Sequence, residues 1–177
     1  MSEERFRIVE LGPRHDAPLK RLLADFAAAG EAAIPGYLAP ADWPHPRIVD
    51  AFAAWARGEQ IEPTWVPCST RFLEVDDALV GLYNLRHRLS DQLRQCGGHI
   101  GYSVRPSARR RGHATRLLRA GARQARELGI SRLLVTCDTT NVGSIRVIER
   151  CGGVFFDEYF DEALGRGVRR HWLSTPP

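Results

Sequence analysis

The sequence predicts a mixed α/β (α+β) fold in one domain, residues 1–177, with antiparallel strands around one parallel pair. Three observations predict it. The length of 177 residues and an apolar content of 44% suit one ordinary globular domain. Two strand-like runs flank a tight Asp76-Asp77 turn, as a hairpin does. A strand, an amphipathic helix and a second strand follow one another between Gly98 and Cys137, the length of a βαβ unit whose strands are parallel neighbours.

The elements follow in order. Arg7 to Leu11 reads as a short strand. Pro18 to Ala29 carries Leu19, Leu22, Leu23 and Phe26 at helical spacing and stops at Gly30. Ile34 to Pro46 holds Pro35, Gly36, Pro40, Pro44 and Pro46 and reads as an irregular loop. Arg47 to Arg57 reads as a helix closed by Gly58. The hairpin strands are Thr70 to Val75 and Ala78 to Arg86, and Gly97-Gly98 opens a strand that runs to Val104. From Gly112 to Leu128, small or apolar residues (Ala114, Leu117, Leu118, Gly121, Ala122, Ala125, Leu128) make one helical face, with Arg116, Arg119, Arg123 and Arg126 on the other. Gly129 stops this helix. Leu133 to Cys137 is an apolar strand, Asn141 to Arg150 a helix stopped by Gly152-Gly153. Val154 to Phe160 and Val168 to Leu173 are closing strands.

Composition narrows the function. No run of 18 apolar residues is present, so no membrane span is expected. The N-terminal Met-Ser-Glu-Glu-Arg-Phe-Arg lacks the apolar stretch of a signal peptide, and the expected location is cytoplasmic. Cys68, Cys96, Cys137 and Cys151 form no C-x-x-C pair and lack zinc spacing; free thiols and no metal are expected. The net charge of +4 rests almost wholly on arginine, with Lys20 the only lysine. That excess suits an anionic ligand. The basic run Arg105 to Arg111 lacks interleaved aromatics, which argues against nucleic acid as a partner.

The run matters for its place. Val104-Arg105-Pro106 ends a strand and Gly112-His113-Ala114-Thr115 opens a helix. The first N–H groups of a helix lack partners within it and lie at the positive end of its dipole. Small residues there let a ligand approach the backbone, and arginines beside it add charge. The spacing is that of a phosphate site; a basic loop that merely caps a helix is the alternative.

Arg109-x-x-Gly112-x-Ala114, after Val104-x-Pro106 and before an amphipathic helix, resembles the acetyl-CoA motif of the GNAT superfamily of N-acetyltransferases. Asn141-x-x-Ser144 and the helix ending Glu149-Arg150-Cys151-Gly152-Gly153 resemble that family's next motif. The two cover about a third of the chain. Asn84-Leu85-Arg86-His87, Gly97-Gly98-x-Ile100-Gly101-Tyr102-x-Val104-Arg105-Pro106, Thr136-Cys137-Asp138 and Arg170-His171-Trp172 are similar to a little-characterised bacterial branch of predicted acetyltransferases. The resemblance implies a mostly antiparallel sheet with helices on both faces and its parallel pair splayed where acetyl-CoA, the cosubstrate, binds. It implies that Arg109 belongs to the binding motif and that amides of Arg110, Arg111, Gly112, His113, Ala114 and Thr115 cradle the pyrophosphate. It also implies that backbone near Tyr102 to Val104 pairs with the pantetheine, with Asn141 and Ser144 helping to hold that arm.

The implied reaction is transfer of acetyl to an amine of a small molecule or peptide by direct attack on the thioester. Direct attack needs a neutral amine, and a free alkylamine titrates near about 10.4, so a base or water chain is required. His87, His99, Tyr102 and Asp138 are the candidates weighed, and Tyr102, His87 and Asp138 are retained. His99 and Tyr102 sit at odd spacing on their strand, so only one faces the gap; parity with Val104 favours Tyr102. Arg86 and His87 together could bind a carboxylate on the acceptor. Relatives place a proton-donating tyrosine seven residues after the asparagine. Here that position is Ile148, and Ser144, Cys137 or a water would stand in. Tyr37, Trp43, Trp55 and Trp65 are expected to wall the acceptor site or to fill the core, Trp55 the latter. The alternative to an enzyme is a non-catalytic acyl-CoA-binding module or sensor. The oligomeric state is open, with a homodimer as the working expectation.

Overall fold

The computed structural model describes residues 5–33 and 43–176. Its elements run β1 (Phe6–Val9), α1 (Asp16–Ala28), α2 (His45–Arg57), β2 (Cys68–Val75), β3 (Ala78–Arg86), α3 (Asp91–Gln95), β4 (Ile100–Val104), α4 (His113–Glu127), β5 (Arg132–Asp138), α5 (Val142–Arg150), β6 (Val154–Asp161) and β7 (Arg166–Ser174). The expected elements are present, most with ends shifted by one or two residues. The exception is α3, whose five residues are too short for a periodicity; its only signal is Ser90, whose Oγ accepts the Leu93 N–H at 3.3 Å.

The strands form two antiparallel sheets, β1-β2-β3-β4 and β5-β7-β6. Asp76 and Asp77 both take left-handed backbone (φ 46° and 62°), the geometry of a two-residue hairpin turn, and so pair Val75 with Ala78. Helices cover both faces of the first sheet. Phe72, Leu79 and Leu82 pack with Leu22 and Phe26 of α1 and Phe52 and Trp55 of α2. Leu73, Tyr83 and Leu85 pack with Leu117 and Leu118 of α4. Helix α4 lies close to β4 because Gly121 has no side chain: a Cβ there would meet Ile100 Cδ1 at 2.2 Å. Leu128, expected on the buried face of α4, follows its last turn and is exposed.

The parallel pairing expected of β4 and β5 is confined to its base. There the His99 N–H donates to the Leu134 carbonyl at 2.8 Å. Beyond it, β4 ladders only with β3 and β5 only with β7, so an opening lies between the two sheets.

Ile34 to Asp42, and with them Tyr37, lie outside the described residues. Of the tryptophans, Trp55 is buried against Phe52, and Trp65 meets it edge-on at 5.4 Å. Trp43 and Trp65 both pack against the core beneath α1 and α2.

Candidate active site

The turn between β4 and α4 begins where Pro106 ends the ladder. The Arg105 N–H still reaches Val80 O at 2.9 Å, and Pro106–Ala108 forms a single 3₁₀ turn. Arg110 (φ 67°) and Gly112 (φ 80°) both take left-handed backbone around Arg111. Left-handed backbone interleaved in this way can turn successive N–H groups towards one concavity, the geometry of an anion-binding nest. The Arg116 N–H is the first to bond back onto this turn, to Gly112 O at 3.1 Å, so the nest continues into the first turn of α4 and its positive dipole end. A Cβ built on Gly112 meets no atom within 4 Å. Space is therefore open beside Gly112.

The side chains around this turn divide. Arg110 and Arg111 are exposed beside it. His113 is buried, with Arg116 Nη1 3.4 Å from its Nδ1, so its side chain is turned into the fold and only its backbone borders the turn. Ala114 and Thr115 are half-buried on the first turn. Arg109 faces away. Its Nε donates to Val104 O at 3.0 Å and its Nη1 to Glu31 Oε1 at 2.9 Å, with a second bond to Glu31 from Nη2. That pairing raises the Arg109 pKa and lowers that of Glu31. Arg109 thus ties the end of β4 to the chain beyond α1.

The open edge of β4 follows from its register. Arg86 N–H to His99 O and Arg105 N–H to Val80 O set the odd-numbered residues of β4 against β3. Alternation then turns the backbone of Ile100, Tyr102 and Val104 towards the opening. Val104 O is taken by Arg109, which leaves the Val104 N–H and both groups of Tyr102 for an extended arm.

The Tyr102 side chain crosses to α5. Its hydroxyl lies 2.8 Å from Ser144 Oγ. Burial pushes the Tyr102 pKa far above that of a free phenol. Ser144 sits in the first turn of α5, where its N–H donates to Oδ1 of the capping Asn141 at 2.9 Å. Cys137 of β5 is beside Ser144, and burial pushes its thiol up to about 11. Ile148 is fully buried and packed on Gly153, where a Cβ would lie 2.4 Å from Ile148 Cγ2. The position at which the family resemblance leads one to expect tyrosine is core here.

The other base candidates lie apart. His87 follows β3, its Nε2 2.8 Å from Ser69 Oγ, and burial lowers its pKa so that the ring is neutral. It stands four residues past Tyr83, the partner of Tyr102, which is roughly 13 Å along the sheet. Asp138 ends β5 and accepts a bond from Arg166 Nη1 at 2.6 Å. Arg86 does not form an acceptor site with His87. It is buried, and its Nη1 donates inward to Gly97 O at 2.8 Å. His99, which strand parity turned from the gap, is buried and spans β4 and β5: its Nδ1 accepts the Leu134 N–H at 2.8 Å.

A turn with left-handed backbone at a helix start, beside two sheets that part past His99, is the kind of arrangement a phosphate-bearing cosubstrate would fit. The chain belongs to the GNAT acetyltransferases: the family model of the acetyltransferase (GNAT) domain matches residues 8–154. It is an acetyltransferase, and acetyl-CoA is its cosubstrate. No curated protein matches the chain in sequence. Among solved structures, yncA of Salmonella typhimurium, which holds its cofactor acetyl-CoA, is similar at 15% identity over 97% of this chain and 94% of its own, with a TM-score of 0.64. RimJ of Mycobacterium smegmatis, in complex with CoA-disulfide, is similar at 17% identity over 96% of this chain and 81% of its own, with a TM-score of 0.68. The ribosomal α-N-protein acetyltransferase RimL is similar at 15% identity over 96% of this chain and 90% of its own, with a TM-score of 0.66. At these identities the likeness is one of fold.

Proposed function

We propose that the protein transfers acetyl from acetyl-CoA to an amine of a small molecule or peptide by direct attack, and that the Tyr102–Ser144 pair serves the leaving sulfur. The observation that carries this reading is the arrangement of the 110–115 nest, the free edge of Tyr102 and Val104, and the Ser144 hydroxyl around one opening. Bound acetyl-CoA supplies the thioester carbonyl. Amides of Arg110 to Thr115 hold the pyrophosphate, with Arg110 and Arg111 adding charge. The Tyr102 and Val104 backbone extends the pantetheine as an added strand and offers an N–H to the carbonyl oxygen. Asn141 holds the first turn of α5, and with it Ser144, against that arm.

Tyr102 keeps its proton because its hydroxyl is buried, which makes it a donor and not the base. It donates to Ser144 Oγ, and this leaves the Ser144 hydrogen for the sulfur. Thiolate departure at neutral pH costs about 2 kcal/mol, given a thiol pKa near about 8.5. A hydrogen bond to a charged group contributes about 1.5–3 kcal/mol, enough to offset it without proton transfer. The base that neutralises the amine is then His87 or Asp138, reached through water. A homodimer is the proposed assembly; Val154, Phe156 and Phe160, exposed on the edge strand β6, are the surface that would take it.

Incubation with isotope-labelled acetyl-CoA and a panel of amines and peptides tests the reading. A labelled N-acetyl product supports it. Tight CoA binding with no product across the panel contradicts it and makes the chain a binding module.

A further inference from the structure

We propose that His99 is a positioning residue for the cosubstrate opening: its imbedded imidazole replaces a backbone rung and fixes the point at which β4 and β5 part. The inference rests on the acetyl-CoA reading above, and its observations are local. Leu134 of β5 has both backbone groups satisfied by one residue. Its carbonyl accepts the His99 N–H at 2.8 Å, and its N–H donates to His99 Nδ1 at 2.8 Å. In a regular parallel ladder that N–H would go to the carbonyl two residues before His99, that of Gly97. The Gly97 carbonyl is instead taken by Arg86 Nη1 at 2.8 Å, and the Gly97 N–H donates to Thr136 Oγ1 at 3.0 Å.

The chain then changes sides within one residue. The His99 N–H faces β5, while its carbonyl accepts the Arg86 N–H of β3 at 2.7 Å. From Ile100 onward β4 ladders only with β3. His99 is thus the hand-over point between the sheets, and everything past it towards the 110–115 nest is opening. Gly98 makes the approach feasible, because its backbone is left-handed (φ 59°) and a Cβ there would sit 2.3 Å from Leu134 O.

The clamp needs an unprotonated Nδ1, with the ring hydrogen on Nε2. Burial, with Arg94 and Arg86 nearby, holds the His99 pKa at about 4, so the acceptor persists at neutral pH. His99 touches no reacting atom. Its effect on the cosubstrate comes through the separation of the two strands between which the pantetheine arm lies.

The test compares wild type with His99→Asn, whose Oδ1 falls near the place of Nδ1, and with His99→Ala and His99→Gln, which place no acceptor there. CoA affinity is read by calorimetry, and the Leu134 amide is read by nitrogen-15 NMR and hydrogen exchange. The proposal expects Ala and Gln to weaken CoA binding at least tenfold and to expose the Leu134 amide, with Asn within about threefold of wild type on both counts. It is overturned if Ala or Gln frees that amide yet binds CoA as wild type does, which would make the clamp merely structural. It is also overturned if Asn binds no better than Gln, the comparison that stands if the Ala variant does not fold. Failure of wild type itself to bind CoA would sink the cosubstrate reading, while the Leu134 amide would still report on the clamp.

Discussion

The Tyr102 hydroxyl lies 2.8 Å from Ser144 Oγ, joining β4 to the first turn of α5 across the opening between the sheets. Two residues 42 apart in sequence thereby meet one turn before the buried Ile148 of the same helix. Removing the donor should lower kcat and leave cosubstrate binding in place. Ser144→Ala is expected to reduce kcat about tenfold to a hundredfold, the loss of one hydrogen bond to a charged group. Tyr102→Phe should cost less, since Ser144 keeps its own hydroxyl. Steady-state kinetics against acetyl-CoA check both. A change confined to KM would place the pair in binding.

Acid should loosen the fold at His99. An unfolded histidine titrates near about 6.5 and the folded one at about 4, so between those values the unfolded chain binds the extra proton. The stabilisation is present above about pH 6.5 and is lost as pH falls through about 4, amounting to about 3 kcal/mol. Urea unfolding from pH 4 to 7 should show stability rising with pH for wild type, with a flatter profile for His99→Asn.

Arg109 is expected to act on cosubstrate binding through the end of β4, because its Nε holds Val104 O. Arg109→Ala should raise the KM for acetyl-CoA several-fold by releasing that carbonyl. Glu31→Gln removes only an exposed ion-pair partner and should leave KM within about twofold. Equal effects of the two substitutions would show that the ion pair, and not the Val104 contact, matters.

Much of the fold is legible in the sequence. The Asp76-Asp77 turn between two strand-like runs locates the hairpin, and arginines opposite aliphatics locate α4, because both signals are local. Helix α3 is not legible, since five residues after Ser90 carry no period. The division into two sheets is hidden as well. It depends on His99 Nδ1 accepting from Leu134, 35 residues away, while Arg86 takes the Gly97 carbonyl. Gly97-Gly98 signals a departure from regular strand without saying which partner requires it. At the proposed site, the turn between β4 and α4 is written in a local motif around Gly112. The reach of Tyr102 to Ser144, and the turn of Arg86 into the fold, depend on register and packing that no spacing encodes.

The edge strand β6 offers a separate check. Val154, Phe156 and Phe160 are 68%, 55% and 64% exposed. Sedimentation should find a dimer for wild type and a shift towards monomer for Phe156→Glu with Phe160→Lys. A monomeric wild type would remove the proposed assembly and leave the cosubstrate site as described.

The most direct measurement is CoA affinity in wild type and in Gly112→Val. Gly112 is left-handed at φ 80°, a conformation costly for a β-branched residue, so valine there would shift the turn that is proposed to hold the diphosphate. Calorimetry should show CoA binding to wild type and a loss of at least about tenfold in the folded variant. Equal affinity in the two proteins would contradict a diphosphate held by the 110–115 turn.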